Sequence, residues 1–217
     1  MAVRLIMAVI SISRQFGAGG KTLGEAVALD LGYRFVHEGM LDKLACEMAE
    51  SRPLAAGAEF YAQAHLTNVL SSLGPADYLD YYIKQDDRLL SQEQHLGALN
   101  QVIKELAEMD NIVLLGRGSQ FILKGHPGAL RILLVADQES RVDFLIRRYS
   151  VTPSKAQALL KRADKKRSRF LKLFFPTEPN ETSLYHMVLN TTWLSLDMAK
   201  GLILDLVKRI SSQGEAG

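Results

Sequence analysis

A glycine-rich stretch near the start of the chain is the strongest chemical signal in the sequence. It runs from Ser11 to Thr22 and reads SISRQFGAGGKT. Its glycines let backbone N–H groups converge on an anion, and the N-terminus of the helix expected to follow adds a partial positive charge. Lys21 could reach the outer phosphates of a nucleotide, and the Thr22 hydroxyl could bind a Mg²⁺ ion that bridges them. The stretch predicts a binding site for a chain of phosphates.

The spacing of this stretch departs from the usual phosphate-loop pattern at one position. That pattern places a glycine five residues before Gly20, where this chain has Gln15. A glycine-rich turn that merely joins a strand to a helix is the alternative interpretation. The order of strand, glycines, Lys-Thr pair and amphipathic helix favours the phosphate loop.

A second candidate site follows a buried apolar run later in the chain. Residues 111–115 read NIVLL, and Gly116-Arg117-Gly118 comes directly after them. Such a run is typical of a strand that is covered on both faces. An arginine at the end of that strand could point into a crevice, where its planar fork suits a phosphate or a base edge. Arg117 is therefore a candidate substrate ligand, and the alternative is a surface arginine in a loop.

A strongly basic segment over residues 161–172 is the third candidate. It contains seven Lys and Arg residues and one acid, Asp164. Such a run is typical of a solvated helix face, and it also fits a lid over phosphates or a stripe that binds RNA. Asp164 lies three residues before Arg167, so a helix would place the two on one face. One could hold a sugar hydroxyl while the other neutralises charge during transfer.

The composition is that of an ordinary globular chain, and it excludes several classes of protein. The 217 residues are 47% apolar and 23% charged, with a net charge of +2. This balance argues against a nucleic-acid or membrane protein, and no apolar run approaches the roughly 20 residues that span a bilayer. The single cysteine, Cys46, excludes an internal disulfide and a multi-cysteine zinc site. A reducing, cytoplasmic location fits these features.

The order of the predicted elements supplies a scaffold for the candidate residues. Segments with strand character alternate with segments of helical periodicity, which indicates an α/β fold with a parallel sheet. The predicted strands are residues 5–12, 33–36, 111–115, 130–135 and 184–189. The predicted helices include one that ends at Gly32, one over 40–49, one over 140–149, one that begins at Pro153 and one over 196–210. In such sheets ligands bind beyond the carboxyl ends of the strands.

These segments resemble the cytidylate kinase-like family of P-loop kinases over nearly the whole chain. The resemblance rests on residues 13–21, 101–107, 113–118, 164–167 and 189–192, in that order. It implies one domain over 1–217 with a P-loop kinase fold, a five-stranded parallel sheet flanked by helices. It also implies a helical insertion over about 40–108 and a basic lid over about 153–175. The activity it implies is phosphorylation of a nucleoside monophosphate, above all CMP or dCMP, by ATP with Mg²⁺.

The resemblance also implies roles for individual residues. ATP would be bound by Gly17, Ala18, Gly19, Gly20, Lys21 and Thr22, with Thr22 as the metal ligand. The acceptor would be bound by Ser13, Arg14, Arg117, Asp164 and Arg167. The residues that would act on the transferring phosphoryl group are Lys21, Arg162 and Arg167. The expected partners are small-molecule nucleotides, not a nucleic acid or a membrane, and residues 53–108 could form a homodimer surface.

Two departures from the family pattern leave other functions open. The loop lysine of ordinary cytidylate kinases aligns with Gly20, so Lys21 must reach from another direction or an arginine must replace it. Ser13 and Leu115 stand where those enzymes carry aspartates, which leaves fewer carboxylates near a Mg²⁺ ion. One alternative is a nucleotide-binding regulatory module with little or no turnover. The other is a small-molecule kinase whose acceptor is not a nucleotide.

Overall fold

A sheet of five parallel strands forms the centre of the molecule, as the sequence predicts. The computed structural model describes residues 9–50, 92–174 and 180–215. The strand order is β2-β3-β1-β4-β5, with every neighbouring pair parallel. The strands are β1 Val9–Arg14, β2 Arg34–Val36, β3 Ile112–Leu115, β4 Ala129–Val135 and β5 Met187–Asn190.

Helices cover both faces of this sheet. They are α1 Gly20–Leu31, α2 Glu38–Glu50, α3 Gln92–Glu108, α4 Ser119–Ile122, α5 Gln138–Tyr149, α6 Pro153–Phe174 and α7 Leu196–Glu215. A 3-10 turn over Thr182–Leu184 precedes β5. The alternation of strand and helix along the chain is the reason that the strands are parallel, since each crossover returns the chain to the same end of the sheet.

Two hydrophobic clusters, one on each face, hold the helices to the sheet. Ile112 and Leu114 of β3 pack in a cluster with apolar residues of α2 and α3. Val113 and Leu115 of the same strand pack in the other cluster, with residues of α1, α5, α6 and α7. Side chains alternate between the faces of a strand, so a strand covered on both sides must be apolar at every position. This explains the unbroken apolar run that the sequence shows there.

Helix α6 connects the two clusters. Its first half buries Ala156 and Leu160 in the cluster shared with α1, α5 and α7. Further along the helix, Phe170 packs against the cluster of α2 and α3. The same helix lines a cleft with Ser13 and Gly116, which lie at the carboxyl ends of β1 and β3. The basic segment is therefore held across the edge of the sheet where ligands are expected to bind.

Several predicted boundaries differ from the observed ones. The fifth strand covers Met187–Asn190, because the 3-10 turn takes up residues 182–184 at its predicted start. Helix α7 continues to Glu215, beyond the predicted end at Ile210. Helix α1 ends as predicted, with Gly32 in the left-handed conformation at φ +69°.

Parts of three predictions lie outside the described residues. These are residues 5–8 of the first strand, 51–91 of the helical insertion and 175 of the basic lid. Helices α2 and α3 are the described parts of that insertion. The assignment of the whole chain to one domain and the dimer surface over 53–108 stay predictions. Within the described ranges, no helix combines the length and the apolar character needed to cross a membrane.

We expect Gly24→Ala to destabilise the protein although alanine favours a helix. A Cβ at this position of α1 would lie 2.5 Å from Cε2 of Phe35, so α1 or β2 would have to shift. Overpacking of this kind typically costs about 1–3 kcal/mol. Gly97→Ala in α3 is the matched control, since its Cβ would meet nothing within 4 Å, and it should stabilise by up to about 1 kcal/mol. Chemical denaturation measures both, and an equal gain for both variants would contradict the packing of α1 on β2.

Candidate active site

The glycine-rich stretch forms a loop between β1 and α1 whose backbone suits an anion. Gly17 and Gly19 have φ values of +85° and +81°, in the left-handed region that favours glycine. Gly19 is also the N-cap of α1, and no described side chain caps that helix. The first turn of α1 carries no acidic residue. The N–H groups and the positive end of the helix dipole are therefore suited to a negatively charged ligand.

Two helices fix the shape of this loop from outside. A Cβ at Gly17 would lie 2.8 Å from the carbonyl oxygen of Arg141 in α5. A Cβ at Gly19 would lie 2.6 Å from Cδ2 of Leu196, the first residue of α7. Larger residues at these positions would push the loop away from α5 and α7. The glycines thus serve close packing as well as backbone conformation.

Residues of the loop also line a small cleft, which we call the loop cleft. Its walls are Arg14, Phe16, Gly17, Gly19, Gly20, Lys21, Thr22, Phe144, Leu145 and Tyr149. Thr22 is half-buried there. Lys21 is 9% exposed, and its Nζ lies 2.9 Å from Oε1 of Glu25, one turn further along α1. Lys21 is therefore close to the loop while its ammonium is held by a carboxylate.

Arg14 lies between this cleft and a larger one. Its side chain packs over Gly20, where a Cβ would come within 2.8 Å of Cγ of Arg14. Its guanidinium donates a hydrogen bond to Oε1 of Glu38, and both side chains are buried. The same guanidinium approaches Gly116, where a Cβ would lie 2.7 Å from Nη1. Arg14 thus runs from the end of β1 past the start of α1 toward the end of β3.

The larger cleft lies between the carboxyl edge of the sheet and α6, and we call it the basic cleft. Its walls are Ser13, Arg14, Glu38, Gly116, Arg117, Gly118, Gln120, Ala163, Lys166, Arg167, Phe170 and Leu171. It has a free volume of about 50 Å³ and opens to solvent.

The predicted residue Arg117 lies in the wall of the basic cleft. It has φ +53°, between Gly116 at +82° and Gly118 at +72°, so three successive residues are left-handed. This conformation is strained for an arginine. The Arg117 guanidinium is hydrogen-bonded to Oδ2 of Asp42 and lies 5.1 Å from the centre of the Phe170 ring. The ion pair and the ring hold the guanidinium at the carboxyl end of β3.

Two further cations reach the basic cleft from α6. Arg167 donates hydrogen bonds to Oγ of Ser13 at 3.3 Å and to Oδ1 of Asn180 at 3.0 Å. Burial and the positive charge of Arg117 lower the pKa of Lys166 to about 8. With Arg14 and Arg117, four cationic side chains line this cleft, and Glu38 is the carboxylate among its described walls. The balance favours an anionic ligand.

Asp164 and Arg162 are positioned differently from the residues that face the cleft. Both carboxylate oxygens of Asp164 accept hydrogen bonds from Nη1 of Arg141, at 3.0 and 2.9 Å. The same nitrogen donates to the carbonyl of Phe16 in the loop at 3.3 Å. In this structure Asp164 therefore connects α6 to α5 and the loop, and its predicted contact with a substrate stays a prediction. Arg162 is exposed on α6, outside the walls of the two clefts, and its predicted role also stays untested.

Sequence reasoning missed Glu38, Asp42, Arg141 and Lys166 as members of the site. A signal was available for two of them, because Glu38 and Asp42 are four residues apart in a helix and share a face with buried apolar residues. Lys166 could not be separated from its basic neighbours before the direction of α6 was known. The sequence carried no comparable signal for Arg141, whose role depends on the docking of α5 against the loop.

The metal expected from the sequence has few protein ligands available. In the described part of the chain, no group of three or more His, Cys, Asp and Glu residues could hold a metal ion. Thr22 lies in the wall of the loop cleft, beside the glycines that would hold phosphates. The residues present fit a Mg²⁺ ion that keeps several waters and is bound mainly through the phosphates of a nucleotide.

Comparison with solved structures identifies the fold. A gluconokinase from Sinorhizobium meliloti matches with a TM-score of 0.52 and 14% identity, over 97% of each chain. An uncharacterized protein from Eubacterium ventriosum matches with a TM-score of 0.66 and 16% identity, over 93% of this chain and 98% of that one. At such identities these likenesses concern the fold alone, which is the P-loop kinase fold.

Comparison by sequence identifies the family. No curated protein matches the chain as a relative. The model of the cytidylate kinase-like family matches residues 9–193, which include β1, the loop, the Gly116–Gly118 turn, α6 and the end of β5. The resemblance noted in the sequence is thereby confirmed over most of the chain. The protein belongs to the cytidylate kinase-like family.

Proposed function

We propose that the protein transfers the γ-phosphoryl group of ATP to a small anionic acceptor, a nucleoside monophosphate such as CMP or dCMP. The observation that carries this proposal is the basic cleft itself. Its described walls carry four cationic side chains and the carboxylate of Glu38, at the carboxyl ends of β1 and β3 and beside a loop suited to phosphates. A cleft whose described walls carry more cationic than anionic side chains favours a ligand with more than one negative charge, which a nucleotide phosphate has.

The positions of the two clefts support a reaction between their ligands. A donor with phosphates on the loop and an acceptor with a phosphate in the basic cleft would meet at Arg14, which lines both. Phosphoryl transfer needs positioning and charge neutralisation more than covalent help from the protein. An acceptor phosphate is already anionic, so no general base is required.

The proposed role of each residue follows from the contacts that it makes. Gly17 to Thr22 would bind the donor phosphates, with Lys21 leaving Glu25 to reach them. Arg117 and Lys166 would bind the acceptor phosphate, and Arg167 would neutralise the transferring group. Helix α6 would exclude water from the reaction. Arg162 would take part only if α6 moved closer to the loop.

The Mg²⁺ ion expected with ATP would be held by the Thr22 hydroxyl and the donor phosphates. When bound, such an ion would supply positive charge that neutralises the phosphate oxygens. Glu38 is the carboxylate in the wall of the basic cleft, and it already pairs with Arg14. Waters would complete the coordination of the ion.

Two observations favour the alternative functions, which are a nucleotide-binding regulatory module and a small-molecule kinase whose acceptor is not a nucleotide. The ammonium of Lys21 is paired with Glu25, and a glycine occupies position 20, which is the arrangement expected if the module binds nucleotide with weak turnover. The fold is shared with a gluconokinase, and an acceptor that carries a carboxylate would also suit four cations.

A coupled assay of ADP formation with all nucleoside monophosphates, gluconate and other sugar acids separates the three functions. ATP binding with no acceptor-dependent ADP formation would support the regulatory module.

We expect Arg117→Ala to weaken acceptor binding selectively. Loss of a charge-assisted hydrogen bond costs about 1.5–3 kcal/mol, so the KM for the acceptor should rise about 10- to 100-fold while the KM for ATP changes little. Arg117→Lys should give an intermediate value, because it keeps the charge and loses the fork. Arg209→Ala, which removes an exposed pair with Asp205 on α7, is the control. If the KM for ATP rises as much as that for the acceptor, the basic cleft is not the acceptor site.

We expect acceptor binding to weaken as the pH rises through about 8. The lowered pKa of Lys166 means that the free protein carries this charge below pH 8 and loses it above. The KM for the acceptor should therefore rise above pH 8 in the wild-type protein. Arg stays protonated throughout this range, so Lys166→Arg should remove that rise. An identical pH profile in wild type and Lys166→Arg would show that another group titrates.

A further inference from the structure

Gly20 and Arg14 occupy complementary positions at the start of α1. Gly20 has no side chain to project over the loop, and the stem of Arg14 lies where its Cβ would be, with Cγ 2.8 Å and Cδ 3.2 Å away. Lys21 is the next residue, and one residue along a helix turns a side chain by about 100°. Its ammonium is directed to Glu25. The space above the start of α1 is thus filled by an arginine side chain from the preceding strand.

The guanidinium of Arg14 is also fixed at the boundary between the two clefts. Glu38 holds it from α2, and Gly116 leaves room for Nη1 at the end of β3. Arg14 and Glu38 are 8% and 2% exposed, so this charge pair is largely shielded from water. An arginine fork can bind two oxygens of one phosphoryl group or one oxygen from each of two neighbouring groups.

We propose that Arg14 is a catalytic residue that binds the phosphoryl group as it passes from donor to acceptor, and that Gly20 is required because it makes room for it. This inference rests on the proposed function. In the step, an acceptor phosphate oxygen forms a bond to the γ-phosphorus of ATP, and the bond from that phosphorus to the β,γ-bridging oxygen breaks. ADP leaves with the bonding electrons, and no proton has to move. Arg14 would neutralise charge on the transferring oxygens, which lie between the two clefts.

Glu38 acts in this proposal as a positioning residue. Its carboxylate holds the Arg14 guanidinium away from solvent, and it would share that guanidinium with the phosphoryl oxygens once the substrates are bound. Glu38→Gln should lower kcat less than removal of Arg14 does. Its effect should also depend on Arg14, so that Glu38→Gln changes little further once Arg14 is replaced.

The first test is kinetic. Arg14→Met keeps much of the stem and removes the charge, and we expect kcat to fall about 100- to 1,000-fold, with smaller changes in both KM values. The double variant Arg14→Met, Glu38→Gln removes the buried carboxylate that would be left without its arginine, and it should fold with the same low kcat. Arg209→Ala should retain wild-type kinetics. A kcat within threefold of wild type in both Arg14 variants would overturn the proposal.

The second test fills the space at Gly20 and leaves the charge of Arg14 in place. Gly20→Ala adds one methyl group against Cγ of Arg14, and we expect kcat to fall at least tenfold. In the Arg14→Met background the same change should lower kcat less than threefold, since Met can bend away and no charge remains to be displaced. Gly201→Ala in α7, with nothing within 4 Å of its Cβ, is the control. Equal effects of Gly20→Ala in the two backgrounds would contradict the assigned role of Gly20.

The third test does not depend on turnover. Calorimetry would compare ADP with a bridged compound in which five phosphates link adenosine to cytidine, so that the bridge passes between the two clefts. Arg14→Met should weaken the bridged compound at least 30-fold and ADP less than threefold. Equal losses for both ligands would overturn the role of Arg14 between the clefts. If wild-type protein binds the bridged compound but phosphorylates no acceptor, the proposed function fails, and the binding difference still decides the role of Arg14.

Discussion

Two carboxylates on one face of α2 hold the ends of two strands in place. Glu38 pairs with Arg14 at the end of β1, and Asp42, one helical turn later, pairs with Arg117 at the end of β3. Two buried cations can lie close together only when nearby anionic groups compensate for their lost hydration. His95 of α3 lies 3.4 Å from the same Asp42 carboxylate, which connects a further helix to the cluster. The basic cleft depends on this arrangement, since without it the two arginines would repel each other.

A second set of contacts couples the loop to α6. Arg141 donates to Asp164 on α6 and to the carbonyl of Phe16 in the loop, while its backbone packs against Gly17. A movement of α6 would therefore change the environment of the loop through one side chain. The helix that carries Lys166 and Arg167 and the loop that would hold the donor phosphates are thus parts of one packed unit. Such coupling suits a reaction in which both ligands must be in place and water must be excluded.

The family and the individual residues give different kinds of information about this protein. Membership of the cytidylate kinase-like family and the P-loop kinase fold define the scaffold and the edge of the sheet where ligands bind. The residues at that edge include an arginine at position 14, a glycine at position 20 and a serine at position 13. The family name alone does not describe how these residues pack together or how their charges are paired. In the proposed function, substrate choice and turnover depend on these residues.

The sequence by itself determined the fold class, the glycine-rich loop, the Gly116–Gly118 turn and the left-handed end of α1 at Gly32. These features depend on local rules, because strand periodicity, glycine conformation and the order of elements are written in neighbouring residues. Only the tertiary structure decided which cations of the basic segment face the cleft, and that Asp164 binds Arg141. It also decided that the stem of Arg14 fills the space above Gly20. Those facts depend on how α2, α5 and α6 pack against the sheet, and side-chain partners distant in the chain leave no local pattern.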